Sequence, residues 1–480
     1  MMSVQLLAVL PEIAILVAAC VVLIVDLFLP TARRHVGFWL TQLALAASIW
    51  IVVSTAQIAP VHAFNGMVVD DMLADVLRLF ALISVSLMLF YARAYLVARD
   101  LFRGETFVLT LFALLGMMVM MSAASFVTLY LGLELMSLSL YALVALQRDA
   151  AAPSEAAMKY FVLGALASGM LLYGFSMVYG ATGSLDLDRI AEATLAGQGN
   201  RTLLVFGLVF VVSGIAFKLG VVPYHMWVPD VYHGAPTPIT LLIGTAPKLA
   251  AFAFALRVLA GGLKGLEFDW QGMLIVLSLL SMVLGNLIAI AQTNLKRMLA
   301  YSTIANMGFM LLGFLAADLN GYSAALFYTV AYVLTTLASF GMILLLSREG
   351  FEADQLDDFR GLNRRSPWWA FMMLLVMFSL TGIPPTLGFY AKFAVLEAAV
   401  NQGFVWLAVI AVLTSVVGAF YYLRIVKLMY FDEPVDDAPI AAPGDARALL
   451  SANGLALLVL GVLPQYLMGL CTLAVTQSYF

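Results

Sequence analysis

Long apolar stretches separated by short polar loops make up almost all of this chain. A helix of about 20 predominantly apolar residues is long enough to cross the hydrocarbon core of a bilayer. Fourteen stretches meet this requirement, at residues 4–30, 37–57, 72–97, 106–122, 124–147, 155–181, 202–231, 236–260, 270–291, 294–316, 321–347, 367–400, 403–431 and 447–472. The pattern predicts an all-α polytopic membrane protein with about 14 transmembrane helices.

Two of these predicted helices are interrupted. The seventh contains Lys218 and Gly220 shortly before Pro223, and the twelfth contains Pro384 and Pro385 shortly before Lys392. Proline removes a backbone donor and clashes with the preceding turn, so each helix is expected to break. Broken backbone at membrane depth is tolerated only where protein or water surrounds it. We therefore expect both breaks to lie inside the helix bundle.

The two breaks lie five spans apart, which is an odd number, so the interrupted segments cross the membrane in opposite directions. This spacing indicates two inverted repeats of five helices, spans 4–8 and 9–13, an arrangement typical of transporters. The chain is then a single membrane domain, 1–480, with four parts: an N-terminal three-helix segment, 1–105, a first repeat, 106–260, a second repeat, 270–431, and a C-terminal helix, 432–480.

Composition supports a membrane protein without a soluble domain. Hydrophobic residues make up 64% of the 480 residues and charged residues only 11%, against about 25% charged residues in soluble domains. The first apolar stretch is too long for a signal-peptide core and lacks a basic start, so we expect it to be a true span.

The distribution of Lys and Arg predicts the orientation. With the N-terminus outside, thirteen basic residues fall in inner loops and three in outer loops. Inner loops of membrane proteins are enriched in Lys and Arg, so both termini are expected on the outer, periplasmic side.

Five charged residues lie within otherwise apolar stretches: Glu134, Lys159, Lys218, Lys248 and Lys392. A charge at mid-membrane costs about 2.5–3.5 kcal/mol on insertion scales, so such residues usually have a function. A buried lysine readily changes its protonation state. The pattern therefore indicates proton conduction. In an alternative interpretation, the charges are structural and the chain is a scaffold.

Individual positions carry their own alternatives. Glu134 could belong to a buried ion pair that only fixes helix packing. Lys159 could extend to the membrane surface or pair with Glu155, one helical turn earlier. His225 follows the first break and could relay a proton between lysines, or it could be a hydrogen-bonded packing residue.

The sequence predicts no redox or nucleotide site on this chain. Cys20 and Cys471 are its two cysteines and lie near opposite ends, so they cannot form a CxxC metal site or a four-cysteine cluster. No GxGxxG or Walker motif is present. We expect no metal ion or cofactor on this chain, and the energy for transport must come from elsewhere.

Several segments resemble the antiporter-like membrane subunits of respiratory complex I. The run from Phe217 to Pro238, FKLGVVPYHMWVPDVYHGAPTP, resembles the signature of that family. Residues 131–138, 292–302 and 382–393 are similar to its fifth, tenth and twelfth helices, and the resemblance covers almost the whole chain. Among the three large subunits, the fourteen spans and Lys392 resemble the N-type; the M-type usually has glutamate there, and the L-type is longer. Pro247 precedes Lys248 where some relatives have serine.

The resemblance implies a proton channel driven by quinone reduction elsewhere in a bacterial inner-membrane complex. Carried over by position, it implies that Glu134 and Lys159 form a coupling pair and that Lys218 is the central lysine. His225 and Lys248 would form the connection along the membrane midplane, and Lys392 would be the exit site. FMN, iron–sulfur clusters, NADH and quinone would be bound by other subunits. The partners would be the M-type neighbour, the small membrane subunits and the lipid bilayer, with no nucleic acid. An alternative is a subunit of a multisubunit cation/proton antiporter.

Overall fold

The protein is helical almost throughout. The computed structural model describes residues 2–30, 33–56, 59–435, 440 and 442–479. The α-helices are α1 (Met2–Ala8), α2 (Leu10–Phe28), α3 (His35–Thr55), α4 (Met72–Ala98), α5 (Gly104–Met121), α6 (Phe126–Val144), α7 (Ala151–Thr182), α8 (Leu187–Leu195), α9 (Arg201–Leu219), α10 (Trp227–Gly234), α11 (Thr237–Gly244), α12 (Ala246–Ala255), α13 (Glu267–Ile290), α14 (Leu295–Leu315), α15 (Leu319–Leu346), α16 (Leu362–Arg365), α17 (Pro367–Thr381), α18 (Leu387–Asn401), α19 (Val405–Phe431), α20 (Gly444–Val462) and α21 (Pro464–Tyr479).

Shorter elements join these helices. A π-helical segment, Leu256–Gly262, continues α12, and 3₁₀ turns occupy Lys264–Leu266 and Leu356–Phe359. Strands β1 (Val61–Ala63) and β2 (Val68–Asp70) form an antiparallel hairpin, in which Val61 pairs with Asp70. The end of the helix bundle that carries this hairpin is called the hairpin end below.

The predicted number of membrane crossings agrees with the structure. Within the described part of the chain, thirteen helical segments are long and apolar enough to span a bilayer. The pair α17 and α18 supplies the fourteenth crossing as a broken helix. The most enclosed segments are α11 with α12, α14 and α15, whereas α2, α7, α19 and α20 lie at the periphery. Both predicted breaks therefore border a central layer of buried helices.

The two breaks have the same backbone geometry. Helix α9 ends at Leu219, and Gly220 follows with φ of +80°; α17 ends at Thr381, and Gly382 follows with φ of +86°. In each case the glycine amide donates to the helix carbonyls three and four residues earlier. A left-handed residue after the last turn is a common helix end and favours glycine. The predicted breaks in spans 7 and 12 are confirmed.

The structure differs from the predicted helices in other places. The eighth span divides at Thr245, where φ is −119° and ψ is −97°, and Pro247 stands in the first turn of α12. The prediction of a single C-terminal helix at 447–472 is wrong. The structure has two helices there, because α20 ends at Val462 and α21 begins at Pro464. Proline at the start of α21 cannot donate to the preceding turn, which separates the two helices.

Close helix contacts at glycine hold neighbouring spans together. A Cβ atom added to Gly116 of α5 would lie 2.4 Å from the Met136 backbone nitrogen of α6. One added to Gly285 of α13 would lie 2.7 Å from the Ala305 nitrogen of α14. Small residues allow such backbone approach, which drives helix association in membranes.

We predict that Gly116→Ala lowers the thermal stability of the protein. The added methyl group meets backbone atoms that cannot rotate away, and overpacking of this kind costs about 1–3 kcal/mol. Gly169→Ala is the matched control, because Gly169 is helical and nothing lies within 4 Å of its Cβ position. Unfolding of the purified protein in detergent, followed by tryptophan fluorescence, measures both variants. Equal midpoints would contradict the packing role.

Candidate functional site

Lys218 contacts the helix that carries Glu134. Lys218 lies in the last turn of α9 and is buried, and its Nζ donates to Ser137 Oγ of α6 at 2.8 Å. Glu134 is one turn before Ser137, on the same face of α6, where side chains three residues apart are neighbours. Glu134 Oε1 is buried and has no hydrogen-bond partner among the described residues. The acid and the lysine therefore occupy one site between α6 and α9.

Lys248 binds the end of the same broken helix. It is 1% exposed, and its Nζ donates to the carbonyl of Leu219 at 3.0 Å and to that of Lys218 at 3.5 Å. Its Nζ also lies 5.4 Å from the centre of the Trp227 ring. The last carbonyls of a helix have no partner within the helix and carry partial negative charge. Lys248 therefore supplies donors where the break leaves acceptors.

Lys392 repeats this arrangement at the second break. Its Nζ donates to the carbonyls of Leu380 at 3.0 Å and Thr381 at 2.9 Å, and to Ser415 Oγ at 2.9 Å. The centre of the Phe309 ring is 4.9 Å away. The two lysines come from different helices, α12 and α18, yet both bind the final carbonyls of a helix that stops inside the helix bundle.

Hydroxyl and amide groups of the central helices line a small cavity beside Lys392. Tyr328 of α15 donates to Asn306 Oδ1 of α14 at 2.7 Å, and Asn306 donates to Ser302 Oγ at 3.2 Å. Thr335 and Ser379 share a hydrogen bond of 3.0 Å across α15 and α17. These polar groups connect the central layer with the second break.

His225 lies in the first break, between α9 and α10, and is partly exposed. Its Nδ1 is buried without a hydrogen-bond partner in the described part of the chain. Its backbone carbonyl accepts from Val228 N at 2.9 Å and so begins α10. No hydrogen bond between described residues joins its ring to Lys218 or Lys248, so its relay role stays a prediction.

Lys159 forms its ion pairs with Glu155 and Asp230, and Glu134 is not one of its partners in this structure. Its Nζ lies 2.8 Å from Glu155 Oε1, as the spacing indicated, and 2.8 Å from Asp230 Oδ2 on α10. Asp230 Oδ1 in turn lies 2.9 Å from Arg297 of α14. About 44% of the Lys159 side chain is exposed.

Helix packing accounts for the separation of Glu134 from Lys159. A Cβ atom at Gly164 would lie 1.8 Å from the Tyr141 hydroxyl, so α6 and α7 meet at these two residues. Glu134 is seven residues before Tyr141 and Lys159 is five before Gly164, and the two helices are antiparallel. At about 1.5 Å per residue, the two positions lie on opposite sides of the contact and far apart along the bundle. The predicted pairing of Glu134 with Lys159 is not present in this structure as an ion pair and stays a prediction.

Sequence reasoning did not single out three residues of the site. Asp230 was visible only as part of the run after the first break, and Ser137 stands one turn from Glu134 without a charge of its own. Ser415 gave no signal. Among the described residues, no group of three or more His, Cys, Asp or Glu side chains could hold a metal ion.

Comparisons with known proteins show the family of this chain. The family model for the transmembrane region of NADH:quinone oxidoreductase and Mrp antiporters matches residues 123–418. NADH-quinone oxidoreductase subunit N of Thiobacillus denitrificans is 63% identical over 470 residues, covering 98% of this chain and 97% of the relative.

Solved structures have the same fold. A chain of respiratory complex I from Thermus thermophilus is 34% identical, covers 96% of this chain and 98% of its own length, and superposes with a TM-score of 0.82. A chain of the Mrp complex from Dietzia is 22% identical, with 100% and 98% coverage and a TM-score of 0.84, which shows the fold alone. From these matches, the chain belongs to the subunit N family of NADH-quinone oxidoreductase.

Proposed function

We propose that this chain is the proton-translocating membrane subunit N of NADH-quinone oxidoreductase, a translocase in which electron transfer from NADH to quinone takes place on other subunits. The name and high identity of its relatives support the role in the complex. The observation that carries the mechanism is the pair of lysines, Lys248 and Lys392, bound to the carbonyl ends of two helices that stop inside the membrane.

Protons would move through a chain of titratable side chains near the membrane midplane: Glu134, Lys159, Lys218, His225, Lys248 and Lys392. Lys218 is the central member, because its ammonium binds Ser137, one turn from Glu134, and its backbone carbonyl accepts from Lys248. The hydroxyl groups around Asn306 and Tyr328 would carry the connection from the first half of the chain towards Lys392. Lys392 is the proposed exit site.

Charge on Glu134 would control whether Lys218 keeps its proton. Two unit charges 4 Å apart interact by roughly 4 kcal/mol at an effective dielectric constant near 20. Moving one charge through 100 mV costs about 2.3 kcal/mol. The interaction energy that is lost when Glu134 and Lys218 move apart is therefore large enough to drive a proton onward.

Lys159 would transmit changes at the surface of the chain to the broken helix. It is partly exposed and bound to Asp230, which also binds Arg297 of the second predicted repeat. A neighbouring subunit that drew Lys159 away from Asp230 would loosen the contact between α7 and α10. Lys159 and Glu134 would then be coupled through the broken helix, because Lys159 binds α10 and Glu134 lies one turn from the contact between α6 and Lys218 of α9.

The same proposal includes the surroundings of the chain. It lies in the bacterial inner membrane with both termini on the periplasmic side, beside the M-type subunit and the small membrane subunits. FMN, iron–sulfur clusters, NADH and quinone are bound elsewhere in the complex. The four-part division into 1–105, 106–260, 270–431 and 432–480 fits the equivalent breaks. A role in a cation/proton antiporter is the less supported alternative, since the Mrp likeness is one of fold.

We predict that Lys218→Ala abolishes most proton pumping in a complex that still assembles. Alanine cannot carry the proton, and the small side chain adds no strain. Quinone-driven proton uptake by vesicles measures the effect. Lys427→Ala is the matched control, because Lys427 is exposed and its salt-bridge partner among the described residues is Asp432, near the end of α19. Normal pumping by Lys218→Ala would refute the central role of this lysine.

We predict that Glu134→Gln lowers pumping more than Glu134→Asp does. Glutamine has the size of glutamate but leaves Lys218 without its nearby negative charge, whereas aspartate keeps the charge on a shorter side chain. The same vesicle assay compares both variants with the unmodified complex. Equal rates in the two variants would favour a packing role for Glu134.

We predict that Lys392→Glu keeps partial turnover, whereas Lys392→Gln and Lys392→Leu lose most of it. Glutamate can hold and release a proton. Glutamine can donate hydrogen bonds to Leu380 and Thr381 but does not titrate, so it separates proton transfer from capping of the helix end. Proton uptake, measured beside the amount of assembled complex, decides the matter. If Lys392→Gln pumps normally, Lys392 is not on the proton path.

A further inference from the structure

A buried cluster of charges lies at the hairpin end, away from the lysines of the proposed path. Arg78 of α4 is 0% exposed and binds three carboxylates. Its Nη2 lies 2.6 Å from Glu12 of α2, and its Nη1 lies 2.6 Å from Asp70 of β2 and 3.2 Å from Asp75 of α4. Three different elements thus contribute acids to one guanidinium.

Among the described residues, the neighbouring charges do not balance this cluster. Arg257, the next buried arginine, binds both oxygens of Asp71, at 2.6 and 2.8 Å, and the carbonyl of Met121. Tyr479 of α21 packs against Arg257 and is not charged at neutral pH. The Arg257–Asp71 pair is therefore neutral in itself. One positive charge remains for three buried carboxylates around Arg78.

Hydrogen bonding points to the same deficit. Glu12 Oε2 and Asp75 Oδ2 are buried, and no donor among the described residues reaches either atom. Ser122 Oγ lies 3.4 Å from Glu12 Oε1, but its single proton has a closer acceptor in the Met118 carbonyl at 3.1 Å. A buried acceptor without a donor costs about 1–3 kcal/mol. A carboxyl proton would supply the missing donor and remove one negative charge.

We propose that Glu12, Asp70 and Asp75 form a proton-binding site on Arg78, in which the three carboxyl groups share one proton. Carboxylates held close together cannot all be ionised, and the proton belongs to the group that is least stabilised by the cation. Asp75 has the longest contact with Arg78 and a buried free oxygen, so it carries the proton. Arg78 fills the space between the acids, so a larger cation does not fit there and a proton is the ligand.

The side chains of the three acids are 7–9% exposed, whereas Arg78 is fully buried. The acids are therefore close enough to water for the proton to exchange. Burial also raises the pKa of Asp70, which lies in the hairpin outside the spans, although Arg78 opposes this effect. The site would hold a proton at the end of the bundle towards which the proposed orientation releases protons.

Infrared spectroscopy of the purified, resting complex tests this site. A protonated carboxyl group has a C=O stretching band separate from the carboxylate bands. Loss of this band as the pH rises shows which carboxyl groups lose their proton. We expect a band that titrates in the unmodified complex, is absent in Asp75→Asn and is retained in Asp269→Asn, whose carboxylate pairs with Arg201 at the same end. Identical titrations of the unmodified complex and Asp75→Asn would overturn the proposal.

Glu12→Gln and Asp70→Asn provide a second measurement that holds even if Asp75→Asn does not assemble. Each removes one competing negative charge, so the Arg78 guanidinium stabilises the ionised Asp75 carboxylate more strongly. We therefore expect the remaining carboxyl band to titrate at lower pH, with proton binding weakened about tenfold. An unchanged titration in both variants would show that the acids are independent ion pairs. Neither readout depends on proton pumping, so the outcome is separate from that for Lys218.

Discussion

Backbone carbonyls that end inside a membrane need donors, and the arrangement of the central helices follows from this requirement. Nothing in hydrocarbon can bond a free carbonyl, and each unsatisfied group costs several kcal/mol. Here two helices stop inside the helix bundle, and a lysine from another segment binds each end. The helices α11, α12, α14 and α15 are enclosed because they surround these ends. The breaks, the lysines and the buried central layer are consequences of one constraint.

This constraint also explains how a structural lysine can be a proton carrier. A neutral amine keeps two N–H donors, which is the number of carbonyls that Lys248 and Lys392 each bind. At Lys392 the free lone pair could accept from the Ser415 hydroxyl, which lies 2.9 Å away. The helix ends would therefore remain bonded in both protonation states. Charge can change at these positions without loss of the contacts that hold the fold.

The sequence predicted those features that depend on local chemistry. Pro223 and Pro384 mark the breaks, and an apolar run of about 20 residues marks a span, since both effects act within one segment. Partners across helices are different. The spacing from Glu155 to Lys159 is local and was predicted, but Asp230 as the second partner depends on how α10 packs against α7. The division of the last span at Pro464 is local as well, and the apolar pattern around it concealed it.

The distribution of charge between the two halves has a mechanistic consequence. Glu134 has one buried carboxylate oxygen and lies one turn from Ser137, which Lys218 binds, whereas the contacts of Lys392 among the described residues are carbonyls, a hydroxyl and an aromatic ring. Among these contacts, dipoles alone stabilise an ammonium at Lys392. If a second lysine nearby were also charged, the repulsion between the two ammonium groups would not be offset by an acid among these contacts. On the proposed path, a proton that arrived from the first half would bind at a site without a counter-charge. Movement of Glu134 relative to Lys218 would then change the energy of the first half while that of the second stays constant, which gives proton transfer a direction.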